Sequence, residues 1–86
     1  MNENYNDDWR EELKLDYPEV YERFCLAKNT SKDLIVLSKL MYKYNKDKTK
    51  EQVLDRVIDW VTGLNNQVSL IPSENEYKKI LKLLEN

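Results

Sequence analysis

Signals that start helices recur along this chain at short intervals, and its 86 residues include a single glycine. Thr30-Ser31-Lys32-Asp33, Thr49-Lys50-Glu51-Gln52 and Ser73-Glu74-Asn75-Glu76 each place a hydroxyl three residues before a side chain able to reach back. In such a capping box the two side chains satisfy backbone N–H groups that a helix start otherwise leaves unpaired. Asp16-Tyr17-Pro18-Glu19 reads as a fourth start, a carboxylate cap with proline in the first turn. A chain punctuated this way is expected to form an all-α bundle of four to five short helices within one domain spanning residues 1–86.

The apolar spacing locates those helices. Tyr5, Trp9 and Leu13 recur every four residues, so a first helix is expected from Asp7 to about Leu15, opened by the acidic pair Asp7 and Asp8. Pro18 disfavours helical geometry at Tyr17 unless a new helix begins there, which predicts a sharp bend after Asp16. The second helix then runs to about Lys28 with Tyr17, Val20, Tyr21 and Phe24 on one face. Leu34, Leu37, Leu40, Met41 and Tyr44 gather on one side of a third helix over Ser31 to Tyr44. The polar link from Asn45 to Lys48 is short enough to make the third and fourth helices antiparallel neighbours.

Val53, Leu54, Val57, Ile58, Trp60, Val61 and Leu64 give the fourth helix a broad apolar arc, which places it at the centre of the bundle, with Gly63 as its C-terminal stop. Gln67-Val68-Ser69-Leu70 alternates like a strand but has no partner strand, so Leu64 to Pro72 is read as an extended loop. A fifth helix from Glu74 to about Leu84 should bury Tyr77, Ile80, Leu81 and Leu84.

Composition excludes most chemistry. There is no histidine, which removes the commonest general base, the commonest metal ligand and every Ser-His or Cys-His pair. One glycine cannot build a phosphate-cradling loop or a dinucleotide fingerprint. Asn45, Asp47 and Thr49 resemble the start of a calcium loop, but Lys50 stands where glycine is needed and Arg56 where the bidentate Glu is needed. Neither catalysis, metal nor cofactor is expected.

Cys25, the sole cysteine, cannot form an intrachain disulfide and reads as a small core residue at the edge of the second helix's stripe. Trp9, Tyr21, Phe24, Trp60 and Tyr77 fall on apolar faces and read as core packing. No charged-then-apolar leader is visible and the longest apolar run is Leu34 to Leu37, so a cytoplasmic protein without membrane association is expected. Abundant Lys, Asn and Tyr suit an AT-rich genome, such as that of a low-GC bacterium or its phages and plasmids.

Charge is polarised within a formal net charge of −2. Residues 1–25 hold eight acids against three bases, and residues 26–50 hold seven lysines against Asp33 and Asp47. On the first helix Asp8, Glu11 and Glu12 surround Leu15, an arrangement that resembles the apolar anchor and charged rim of a protein-binding surface; equally, Leu15 could pack under the second helix, leaving the acids as solubility and dipole charges. The reading this favours is a small non-enzymatic inhibitor, adaptor or regulator that binds a protein partner.

The alternative is a nucleic-acid-binding domain built on the third and fourth helices. Lys39, Lys43 and Lys46 lie opposite the buried face of the third helix, with Tyr42 beside them. Against it stand only three arginines and an acidic stripe of Glu51, Asp55 and Asp59 on the fourth helix. Were the two faces turned toward each other, that stripe would simply pair with the lysine stripe at the surface. Ile35 and Leu83 lie off their helices' main stripes, where exposure would suit a homo-oligomer.

Overall fold

A computed structural model describes residues 5–64 and 71–84. Among these residues the chain forms five α-helices and no strand: α1 (Trp9–Asp16), α2 (Pro18–Cys25), α3 (Ser31–Tyr44), α4 (Lys50–Leu64) and α5 (Glu74–Leu84). The all-α bundle expected from the caps is the fold. The expected core side chain of Leu64 and the stretch Gln67-Val68-Ser69-Leu70 lie outside the described residues.

The three hydroxyl caps start α3, α4 and α5 where the sequence places them. Asp33 Oδ2 accepts the Thr30 N–H at 2.9 Å. Gln52 Oε1 accepts the Thr49 N–H at 2.9 Å, and Thr49 Oγ1 accepts the Gln52 N–H at 3.0 Å. At α5, Ser73 Oγ accepts the Glu76 N–H at 3.3 Å. Each bond joins residues three apart, so it forms as soon as the first turn does.

The fourth start differs from expectation. Asp16 ends α1 instead of capping α2, and Tyr17 is the break, with φ −134° and ψ 61° and no side-chain cap bond. Pro18 forces only the residue before it out of helical geometry, so α1 continues through Asp16 and Tyr17 turns the chain. This bend leaves Tyr17 42% exposed, off the buried face on which it was expected.

The second helix also stops earlier than expected, at Cys25, in a Schellman turn. The Lys28 N–H donates to the Arg23 carbonyl at 2.8 Å and the Ala27 N–H to the Phe24 carbonyl at 3.2 Å. The left-handed residue of this turn is Ala27, at φ 55°. Val20 is the one buried residue of α2, and Cys25 in the last turn is exposed and not a core residue.

Gly63 is not a stop either. It lies inside α4 without positive φ, because the helix continues to Leu64.

The core is a contiguous cluster of Trp9, Leu13, Val20, Leu34, Leu37, Leu40, Met41, Val53, Val57 and Val61. Leu54, Ile80 and Leu84 are buried as well. The broad arc of α4 does line this core, and α3 shares the central place, because it packs against α1, α4 and α5.

The expected aromatic packing appears in a triangle joining α1, α2 and α4. Trp9, Phe24 and Trp60 meet edge to face, with centroids 5.2–5.8 Å apart. The Arg10 guanidinium lies 4.6 Å from the Trp60 centroid and 5.4 Å from that of Trp9. Between α4 and α5 the Tyr77 hydroxyl donates to Asp55 at 2.7 Å; burial, then this bond, pushes the phenol pKa up to about 12.

Candidate interaction surface

Asp8, Glu11 or Glu12, and Leu15 recur at the three- and four-residue spacing that aligns side chains along one helix edge. They lie on α1 and the residue preceding it, while Trp9 and Leu13, 1% and 0% exposed, point into the core. The Asn6 side chain fixes the helix start, since its Oδ1 accepts the Asp8 N–H at 2.8 Å.

The structure divides the four candidate residues. Leu15 is 75% exposed, the most exposed large apolar residue described. Asp8 and Glu11 are exposed, and neither carboxylate has an ion-pair partner among the described residues. Glu12 is committed internally. Its Oε1 accepts both the Lys43 ammonium and the Tyr44 hydroxyl at 2.8 Å, tying α1 to the end of α3. The hydrogen bond from Lys43, and then that from Tyr44, hold the Glu12 carboxyl below the usual glutamate range. The same bond raises the Lys43 pKa. Glu12 is therefore turned toward α3 and not toward solvent with Asp8 and Glu11.

The basic stripe is altered by the same pair. Lys39 is exposed, Lys43 is paired with Glu12, and the Lys46 ammonium lies 4.3 Å from the half-buried Tyr42 ring. Lys39, Lys43 and Lys46 do not pair with Glu51, Asp55 and Asp59 among the described residues, where Glu12 is the partner of Lys43 and Tyr77 that of Asp55. Of the two residues considered for self-association, Ile35 is half-buried and Leu83 is 38% exposed.

Two buried anchors hold α3 to the chain that precedes it. Asn45, 1% exposed, accepts the Asn6 N–H at 2.7 Å and donates to the Asn6 and Met41 carbonyls at 3.1 and 2.8 Å. It thereby holds the segment before α1 against the end of α3, across 39 residues of sequence. Arg23 grips Asp33 in a fork, Nε to Oδ2 and Nη2 to Oδ1, both at 2.8 Å. Burial alone would raise the Asp33 pKa, but the bonds from Arg23 and Thr30 outweigh it and hold the carboxyl below the usual range. Spacing along the chain carries no sign of either contact.

No group of three or more Cys, Asp or Glu side chains converges as a metal site among the described residues. None of their helices is long and apolar enough to cross a membrane. Comparison with protein-family models, curated proteins and solved structures yields no match to this chain.

Proposed function

We propose that this chain is a non-enzymatic protein-interaction module that binds a protein partner through the outer edge of α1, as a small inhibitor, adaptor or regulator does. The observation that carries the reading is Leu15. A leucine 75% exposed, on a helix whose other apolar residues are buried, is an apolar anchor left open. Asp8 and Glu11 supply the charged rim, and the Glu12 contacts with Lys43 and Tyr44 tie the helix to α3. A rigid edge loses little conformational freedom on binding. The absence of histidine and the near-absence of glycine favour binding over catalysis. A cytoplasmic inhibitor of phage or plasmid type, offering acids to a basic groove, fits this class.

The test is recovery of partners from a low-GC bacterial lysate treated with nuclease, using wild-type and Glu11→Lys/Leu15→Lys baits side by side. A protein retained by the wild type and lost by the double variant is the expected result. Equal recovery by both baits contradicts the α1 assignment. Recovery that disappears with nuclease, and with Lys39→Glu/Lys46→Glu, transfers the function to nucleic acid and the basic stripe.

A further inference from the structure

A groove of about 480 Å³ runs between Tyr5 and the outer face of α4, lined by Tyr5, Gln52, Asp55, Arg56, Asp59 and Trp60. Its volume is within the range of small-ligand sites. Tyr5 and Trp60 are its aromatic lining, and each ring already has one of the chain's own cations against it. The Arg56 guanidinium lies 4.4 Å from the Tyr5 centroid, and Arg10 lies 4.6 Å from that of Trp60.

The position of Arg56 decides what the groove can accept. Arg56 and Asp59 are three residues apart on α4, the spacing at which a helix forms an internal ion pair. Arg56 is instead placed over Tyr5, and Asp59 has no ion-pair partner among the described residues. Asp55 accepts only the neutral Tyr77 hydroxyl. The lining thus carries two carboxylates without a paired cation, beside the indole of Trp60, while the one lining cation is occupied by an aromatic face.

We propose that this groove binds the guanidinium or ammonium group of a basic side chain on a peptide or protein partner. Asp59 is the charge partner, and the part of the Trp60 ring that lines the groove, whose centroid Arg10 already approaches to 4.6 Å, is the aromatic contact. A guanidinium suits the site better than an ammonium because it stacks on an indole while its N–H edge reaches a carboxylate. The inference is independent of the α1 edge, which presents an aliphatic anchor and no aromatic wall.

The test uses acetyl-tetra-arginine amide as the probe, titrated into the ¹⁵N-labelled full chain, with acetyl-tetra-glutamate amide as the control. Saturable shifts at Gln52, Asp59, Trp60 and the Trp60 indole N–H are expected with the arginine peptide only. Asp59→Asn, at an exposed site, should preserve the fold and weaken binding about fivefold, as removal of one exposed ion pair does. Unchanged affinity in Asp59→Asn overturns the proposal, as does preferential binding of the glutamate peptide. Shifts confined to Asp8, Glu11 and Leu15 overturn the groove as well, yet leave the α1 reading standing.

Discussion

The two ends of α3 and the outer edge of α1 treat polar groups in opposite ways. At the start of α3, Asp33 is 2% exposed and accepts bonds from Arg23 and Thr30. At its end, Asn45 is 1% exposed and bonds to Asn6 and Met41. One anchor is ionic, the other neutral, and each joins α3 to chain that precedes it. On the outer edge of α1 the acids Asp8 and Glu11 have no ion-pair partner among the described residues, and Leu15 lies in solvent beside them. Burying a polar group is costly unless its bonds are made, so committed polar groups mark what the fold requires. The uncommitted edge is the surface that the proposed partner would meet.

The largest effect is expected at the ionic anchor. Asp33→Ala removes a helix cap and a forked ion pair together, and should lower stability by about 3 kcal/mol in urea denaturation. Because Asp33 has a lowered pKa in the fold, its contribution is complete above the ordinary aspartate value of about 4 and disappears as pH falls through the lower folded value. Glu12 acts in the same direction. Thermal melts from pH 7 down to pH 2 should therefore fall less steeply for Asp33→Asn than for the wild type; parallel curves would show that Asp33 is not ionically held.

Next comes the neutral anchor. Asn45→Ala leaves the Asn6 N–H and two carbonyls without the partner they have, at a cost of about 2 kcal/mol. Its loss relative to the wild type should be the same at pH 4 and pH 8, and a pH-dependent loss would erase the contrast between the two ends. Hydrogen exchange at Asn6 offers a local readout, with faster exchange expected in the variant.

A smaller effect of opposite sign concerns the backbone. Ala27 occupies the left-handed position of a Schellman turn, where glycine is relaxed. Gly63 lies in a helix, with nothing within 4 Å of an added Cβ. Ala27→Gly and Gly63→Ala should each raise stability by about 1 kcal/mol, measurable as higher urea midpoints.

These cases show what the chain discloses by itself. Thr30 with Asp33, Thr49 with Gln52 and Ser73 with Glu76 are bonds across three residues, so residue spacing alone locates α3, α4 and α5. Asp16 misleads because proline constrains only its immediate predecessor, and Gly63 misleads because a glycine is tolerated within a helix. Ala27 carries no sign of a helix end, since its left-handed geometry is imposed by the turn around it. The pairs Asn45–Asn6 and Glu12–Tyr44 span 39 and 32 residues, and only the packed fold brings them together. By spacing alone Glu12 is equivalent to Glu11 on α1, although in the fold the two have different contacts. The helical period that sends Trp9 and Leu13 inward turns Leu15 off that stripe, but only the packed fold shows that α2 leaves it uncovered.

The most direct test of this division is the stability of Leu15→Asn, measured by urea denaturation beside the wild type. A side chain that the fold does not use should leave the free energy of unfolding within about 0.5 kcal/mol of the wild type. A loss of about 2 kcal/mol, as for a buried leucine, would place Leu15 in the fold's own packing and contradict an edge kept open for a partner.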